Sequence, residues 1–341
     1  MKIGLAAVPA LLMIFGGCCL NVITLEFITK YDTGAGNIVT FAQFLFISVV
    51  TMLGQVEGVA PRPPFVRLAR RHIPTKSILV CVLLFYGVSV INNYALGFNI
   101  ALPFHMIFRS GSLITSLVLG IIFLGKKYTL RQFLSVVMVT VGIFLATTAS
   151  MSLIEQFSVG DDLRTFFVGI FLLLVALVMS SVMGVYQEKT YRRCNGVAPM
   201  PVLKKELQCY SHAFSLPFFA TLLPGIVEHA RSWQSLALVD IPFLPGKQIS
   251  MLWIYLLLNC ITQYVCISGV FLMTSVTDAL TMTLALSLRK FVSLVISIFL
   301  FKNDFTPQHW LATVLVFVGT FLFSTDKGPQ AKKDADAKKK D

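Results

Sequence analysis

Three positively charged residues, Arg109, Arg289 and Lys290, lie within long apolar segments of this 341-residue chain. A cation near the middle of a bilayer costs about 2.5–3.5 kcal/mol on insertion scales. We therefore expect these side chains to face a polar interior and to bind an anion such as a phosphate. The alternative is pairing within the chain, for which Glu26 and Asp278 are the acids at a suitable depth.

Amide and tyrosine side chains also occur in the apolar segments. The consecutive residues Asn92, Asn93 and Tyr94 cover more than half of a helix circumference, and amides beside an aromatic ring suit the edge and face of a nucleobase. Bonding to a neighbouring helix is the alternative for each of them. The polar candidates for a substrate site are Asn92, Asn93, Tyr94, Asn259, Gln263 and Tyr264.

Catalytic and metal-binding signatures are absent from the sequence. There is no Asp-x-Asp, His-Glu-x-x-His or Cys-x-x-Cys motif, and the apolar segments hold almost no carboxylates for acid–base or metal chemistry. We therefore expect no catalytic residue, no metal and no cofactor. A membrane-embedded transferase is the alternative that these absences disfavour.

The composition indicates a polytopic membrane protein, because 56% of the residues are hydrophobic and only 13% are charged. A helix needs about 20 mostly apolar residues to cross a bilayer, and ten segments meet this requirement. Pro217 and Pro224 interrupt the seventh. The ten predicted spans are Ile3–Ile28, Asn37–Gln55, Ser77–Phe98, Phe104–Leu124, Gln132–Ser150, Thr165–Gln187, Gln208–Val227, Ile249–Met273, Ala279–Phe301 and Pro307–Ser324.

The lysines and arginines sort between alternate loops. Of the 28 such residues, twenty lie on the side that also holds both termini, five lie on the other side, and the remaining three are the intramembrane cations. The positive-inside rule then predicts that both termini are cytosolic. The net charge of +12 therefore requires no nucleic acid.

Short sequence matches recur at a nearly constant separation. Ala101-Leu102 and Ala279-Leu280 are 178 residues apart. Three further pairs are each 177 apart: Tyr128-Thr129 with Phe305-Thr306, Val141-Gly142 with Val318-Gly319, and Thr147-Thr148 with Ser324-Thr325. Two halves of five spans each must enter the membrane in opposite directions, as in alternating-access transporters. We predict an all-α protein with two inverted repeats, residues 1–150 and 151–325, and a disordered cytosolic tail, residues 326–341.

Five segments resemble the UDP-N-acetylglucosamine/UDP-xylose transporters, which belong to the nucleotide-sugar branch of the drug/metabolite transporter superfamily. They are GNIVTFAQFLFI (Gly36–Ile47), NNYAL (Asn92–Leu96), PFHMIFRSGSLI (Pro103–Ile114), ITQYVCISGVF (Ile261–Phe271) and LRKFVSL (Leu288–Leu294). The Phe-Tyr-Asn-Asn and Gly-Ala-Leu-Asn-Lys signatures of the related GDP-mannose carriers are not present intact, which argues against a guanine nucleotide.

The resemblance implies a ten-helix carrier that exchanges a cytosolic UDP-sugar for lumenal UMP. Related carriers contact the nucleotide phosphate through a lysine in the ninth span, a position that Lys290 occupies with Arg289 beside it. The preference between N-acetylglucosamine and xylose stays open. A carrier of the same fold for a different phosphorylated metabolite is the alternative.

Remaining features concern location and assembly. The chain ends Lys338-Lys339-Lys340-Asp341, which looks like a dilysine retrieval signal read by coat proteins at Lys338 and Lys339. It favours the endoplasmic reticulum membrane, with the Golgi as alternative. The small residues Gly142, Ala146 and Ser150 form a face that would suit a homodimer. All seven cysteines fall in spans or cytosolic loops, so no disulfide is expected.

Overall fold

A computed structural model describes residues 8–59, 66–98, 100, 102–109, 111–125, 127–157, 161–194, 196–240, 248–276, 279–302 and 304–326. The described chain is almost entirely helical. Two short antiparallel hairpins interrupt it, β1 (Val56–Val59) with β2 (Val66–Leu68) and β3 (Leu238–Asp240) with β4 (Gln248–Ser250).

Helices of the first half follow the predicted spans, with two interruptions. The first span contains a π-helical turn, Met13–Gly17, which falls on the Gly16-Gly17 pair. The fourth span is divided into two helices, the first of which ends at Arg109. The helices are α1 (Val8–Leu12), α2 (Cys18–Tyr31), α3 (Gly36–Leu53), α4 (Thr75–Leu96), α5 (Leu102–Arg109), α6 (Ser112–Leu124) and α7 (Leu130–Phe157).

Helices of the second half differ from prediction mainly in the seventh span, which begins at Met200 rather than Gln208. Its two prolines do not end it, because the chain passes through a 3-10 segment, Leu216–Leu222, where the tighter backbone accommodates the missing amide donors. The helices are α8 (Asp161–Cys194), α9 (Met200–Ser215), α10 (Leu223–Ser232), α11 (Met251–Val276), α12 (Ala279–Phe301) and α13 (Pro307–Thr325).

Seven continuous helical stretches of the described chain are long and apolar enough to cross a membrane. Pro307–Phe323 is a shorter apolar helix. The seven are Val8–Tyr31, Gly36–Leu53, Thr75–Ala95, Leu130–Ala149, Arg164–Tyr191, Met200–Ser232 and Met251–Val270. The chain is therefore a polytopic helical membrane protein, and the count of ten spans stays a prediction.

The main helix contacts join the first half of the chain to the second. The pairs are α7 with α13, α4 with α8, α2 with α11, and α3 with α9. Residues that contact each other across α7 and α13 run in opposite order along the two helices, as do those across α2 and α11, so both pairs are antiparallel.

Two glycines hold α7 and α13 at backbone distance. A Cβ atom on Gly142 would lie 2.8 Å from the carbonyl oxygen of Ala312, and one on Gly319 would lie 2.8 Å from that of Ser135. Ala146 on the same face of α7 is fully buried. The small-residue face predicted for a homodimer is therefore used within the chain, because α13 covers it.

The 177-residue separation recurs in the backbone itself. Gly125 and Lys302 both have positive φ, at 60° and 52°, where α6 and α12 end. Thr129 and Gln132 form reciprocal capping bonds at the start of α7, and Thr306 and His309 do so at the start of α13. Each pair of equivalents is 177 residues apart, as are Gly142 and Gly319.

The expectation of no disulfide is wrong, because Cys18 on α2 is bonded to Cys266 on α11. Gly17 and Gly269 allow the two helices to approach closely: a Cβ on Gly17 would lie 2.8 Å from the amide nitrogen of Cys266. The two cysteine Cα atoms are consequently only 4.7 Å apart. Reasoning from the compartment alone does not reveal such a contact between distant parts of the chain.

Candidate functional site

Lys290 is the central residue of the 23-residue helix α12, about 16 Å from either end. Arg289 precedes it and both side chains are half-buried. The Nε atom of Arg289 is buried and has no hydrogen-bond partner among the described residues. The depth predicted for these two cations is therefore confirmed relative to their own helix.

Arg109 lies across from them as the last residue of α5, and its side chain is exposed rather than packed among protein atoms. Its positive charge interacts with that of Arg289, and the charge of Lys290 interacts with both arginines. The structure thus joins the three intramembrane cations into one group, which we call the cation cluster.

The cation cluster has no counter-charge in the described part of the chain. No acidic side chain there forms an ion pair with Arg109, Arg289 or Lys290. Glu26 is buried and accepts a hydrogen bond from Ser297 at 2.5 Å, whereas Asp278 lies outside the described residues. Like charges held together in a dehydrated region repel one another. An anion that entered the cluster would relieve this repulsion.

Two further polar atoms without partners accompany the cluster. The imidazole of His105 is hydrogen-bonded to the backbone of Asn92 and lies one helical turn before Arg109. Its Nε2 atom and the Oδ1 atom of Asn92 are buried and unpaired within the described chain. Asn92 uses its Nδ2 atom on the carbonyl of Val88 in its own helix. His105 and Asn92 thus join the end of α4 to the start of α5, next to Arg109.

Asn259 is committed to helix packing. It is fully buried, its Nδ2 atom donates to the carbonyl of Asn21 and to Thr24 Oγ1, and its Oδ1 atom accepts from Gln43 at 2.6 Å. This amide therefore ties α11 to α2 and α3 and offers no donor for a substrate.

The other predicted polar residues occupy varied positions. Asn93 donates to Thr40 Oγ1 at 2.6 Å, which ties α4 to α3. Tyr94 is 48% exposed. Gln263 is half-buried, as is Tyr264, whose ring meets that of Phe46 edge-on. Of these, Asn92 is linked to the cation cluster, through His105. Lys338 and Lys339 lie outside the described residues.

Helix α2 also reaches the cluster, which the sequence analysis missed. Cys19 interacts electrostatically with Arg289 and contacts Ser293 one turn further along α12, with 3.2 Å between the oxygen and the sulfur. Glu26 and Ser297 continue the same seam. An acid inside an apolar span is the signal that points to this helix. Among the described residues, no group of three histidines, cysteines or acids could hold a metal ion.

Comparison with known proteins places the chain among carriers. Residues 6–327 match the UAA transporter family. The chain is 44% identical over 318 residues to the human "Nucleotide sugar transporter SLC35B4" and 42% identical over 321 residues to the zebrafish "UDP-xylose and UDP-N-acetylglucosamine transporter", with 92% of each chain covered in both cases.

A third relative carries a different cargo in its name. The chain is 42% identical over 336 residues to the Drosophila melanogaster "Endoplasmic reticulum GDP-fucose transporter", covering 95% of this chain and 92% of the relative. The match extends from the first span to the end of α13 and includes every residue of the cation cluster. This chain belongs to the UAA transporter family.

Proposed function

We propose that this protein carries UDP-N-acetylglucosamine, and UDP-xylose as a second cargo, across an internal membrane in exchange for UMP. The observation that carries the proposal is the cation cluster of Arg109, Arg289 and Lys290, which has no acidic partner in the described chain. A nucleotide diphosphate supplies the missing negative charge. The names of the human and zebrafish relatives support the cargo.

In this proposal the phosphates bind Lys290 and Arg289 from one half of the molecule and Arg109 from the other. Asn92, with Gln263 and Tyr264, contributes to base or sugar contacts; Asn259 does not, because its amide is engaged. An empty cluster would leave three like charges in a region of low dielectric, so the empty carrier resists closure. The carrier therefore returns only with UMP bound, which gives exchange rather than leak.

We propose that residues 1–150 and 151–325 are inverted repeats of five spans each. Support comes from α7 and α13, where Gly142 contacts Ala312 and Gly319 contacts Ser135, the two residues being 177 apart in each case. Two antiparallel helices with reciprocal contacts are related by a twofold axis perpendicular to them, which lies in the membrane plane. Exchanging the halves also converts the pair of first and eighth spans into the pair of sixth and third, and both pairs are packed.

The proposed location is the endoplasmic reticulum membrane, with both termini in the cytosol. The positive-inside charge bias supports the orientation, and the name of the fly relative supports the compartment. Replacing Lys338 and Lys339 together by serine should move a tagged protein to the Golgi if coat proteins read the tail. Unchanged localisation would contradict the retrieval signal without affecting the transport proposal.

The test is exchange by the purified protein in UMP-loaded proteoliposomes. Lys290→Ala should lower uptake of radiolabelled UDP-N-acetylglucosamine by about 10–100-fold, because a charge-assisted hydrogen bond contributes about 1.5–3 kcal/mol. Lys30→Ala, which removes an exposed lysine at the end of α2, is the matched control and should transport normally. Full uptake by a folded Lys290→Ala variant would refute the site, and no uptake by the unmodified protein would refute the function.

GDP-fucose is the second candidate cargo, because the fly relative is named for it. The missing GDP-mannose signatures do not exclude it, since that relative is as similar to this chain as the zebrafish one. Competition by UDP-xylose, GDP-fucose and unrelated sugar phosphates against UDP-N-acetylglucosamine uptake decides between them. Recovery of intact nucleotide sugar inside the vesicles separates a carrier from an enzyme.

A further inference from the structure

A buried carboxylate ties the N-terminal end of the seventh span to the first half of the chain. Glu206 on α9 is 3% exposed. Its two oxygens accept hydrogen bonds from the backbone amides of His72 and Ile73 at 2.9–3.0 Å, and Oε2 lies 3.2 Å from His72 Nδ1. His72 and Ile73 belong to the segment between α3 and α4. We call this contact the Glu206 clamp.

A second carboxylate ties the C-terminal end of the same span to the first half. Asp32, between α2 and α3, lies with Oδ2 2.7 Å from His229 Nδ1 on α10 and accepts a hydrogen bond from Trp233 Nε1, also at 2.7 Å. Its other oxygen accepts from the amide of Gly34. We call this contact the Asp32 clamp. The two clamps lie at opposite ends of a 33-residue stretch that is long enough to cross the membrane.

The clamps have the same construction. In each, an acid near the start of one helix meets the Nδ1 atom of a histidine beyond or near the end of the other: Asp32 precedes α3 and meets His229, and Glu206 near the start of α9 meets His72 after α3. Exchange of the two halves in the proposed inverted repeat converts one clamp into the other. They are therefore candidates for the same task at the two membrane faces.

The segment between the clamps allows them to act separately. Between α9 and α10 the chain forms the 3-10 turn Leu216–Leu222, and Pro217 and Pro224 remove backbone donors on each side of it. A 3-10 stretch within a helix is a recurrent site of hinge motion. The α9 end with Glu206 can therefore tilt without moving the α10 end with His229.

We propose that the Glu206 and Asp32 clamps are the two gates of the carrier, and that each access state opens one of them while the other stays closed. The inference rests on the proposed transport function. A site between the two halves opens toward one face only if the contacts between the halves at that face separate. Both clamps are closed in this structure, which corresponds to a state sealed at both ends of the seventh span.

The test locks each clamp covalently. Asp32→Cys is combined with His229→Cys, and separately His72→Cys with Glu206→Cys, in the full chain. Thr148→Cys with Gln308→Cys is the matched control, because it joins α7 to α13 at a contact of 2.9 Å outside the proposed gates. Each variant is oxidised, reconstituted and assayed for exchange before and after reduction, beside unmodified protein that corrects for the Cys18–Cys266 disulfide.

Locking either clamp should lower exchange at least tenfold, with recovery on reduction, while UMP still raises the melting temperature of the locked protein. The locked control should exchange within twofold of its reduced form. Full exchange with a locked clamp would overturn the proposal and make that clamp a static brace. Equal inhibition by the control pair would also overturn it.

A second readout does not depend on transport. Spin labels on Arg70→Cys with Lys205→Cys report the Glu206 end, and labels on Tyr31→Cys with Glu228→Cys report the Asp32 end. All four positions are exposed, whereas the five free cysteines are buried. Gating predicts a short and a longer separation for each pair in nanodiscs, and a single separation at both ends would refute it. If the unmodified protein moves no nucleotide sugar, the proposed function fails and this measurement alone decides the gates.

Discussion

Two helix pairs join the halves of this protein in different ways. Between α7 and α13 the contact is backbone against backbone, because Gly142 and Gly319 leave no side chain in the way. Between α3 and the α9–α10 stretch the contact is made by rings: Phe219 packs against Phe41 and Phe44 at centroid distances of 5.4–5.5 Å. Both pairs carry polar links at each end.

The difference indicates which pair can move. Interlocked backbones have no alternative arrangement at a similar distance, because a carbonyl oxygen cannot turn aside as a side chain can. Aromatic rings can slide and re-pair while staying buried. We therefore expect α7 and α13 to form a fixed spine and the α3–α9–α10 pair to supply the motion. Four substitutions test this expectation, from the largest expected effect to the smallest.

Gly142→Leu should prevent stable folding, with a loss of about 3 kcal/mol or more, because its Cβ alone would lie 2.8 Å from the Ala312 carbonyl oxygen. Size-exclusion chromatography of the detergent-solubilised protein measures the folded fraction. Gly184→Leu is the matched control, since nothing lies within 4 Å of a Cβ there. A folded Gly142→Leu protein with normal melting behaviour would show that the spine is not rigid.

Glu206→Ala should lower stability by about 2 kcal/mol, because the amides of His72 and Ile73 lose their acceptor near a membrane face, where water replaces it in part. Its exchange rate should fall further than the stability loss explains if the clamp is a gate. Glu228→Ala, at an exposed position on α10, should change neither quantity. Thermal unfolding and vesicle exchange, compared in one preparation, separate the two effects.

Phe219→Leu should reduce stability by about 1.5 kcal/mol, since it removes ring contacts with Phe41, Phe44 and Tyr86 but keeps most of the volume. The mobile pair should tolerate this change and remain folded, in contrast to Gly142→Leu. Phe171→Leu, on a 64% exposed ring, is the control and should be neutral. A collapse as severe as that of Gly142→Leu would remove the distinction between the two pairs.

Gln308→Ala should have the smallest effect, about 0.5 kcal/mol, because its hydrogen bonds to Thr148 and Leu145 are exposed. The close backbone contacts of α7 and α13 should hold the spine together without this link. Thermal unfolding is again the measurement. A loss above about 2 kcal/mol would mean that the polar ends, and not the glycines, hold the spine.

Several features could be read from the sequence because they depend on local chemistry. A lysine among apolar residues is costly wherever the helix lies, so Lys290, Arg289 and Arg109 could be identified before any contact was known. The 177-residue separation could likewise be read directly, and the capping pairs Thr129–Gln132 and Thr306–His309 are its structural counterparts.

Other features depend on which faces of distant helices meet, and hydropathy contains no information on rotation or register. Asn259 had the same polarity as a ligand-binding residue, but the approach of α2 and α3 committed its amide to packing. The Cys18–Cys266 disulfide and the Asp32 and Glu206 clamps each join residues more than 100 positions apart. The sequence by itself determined that this is a membrane carrier with buried cations, because transfer energies are local. Only the tertiary structure decided which polar groups are free and which hold the halves together, because close packing selects the partners.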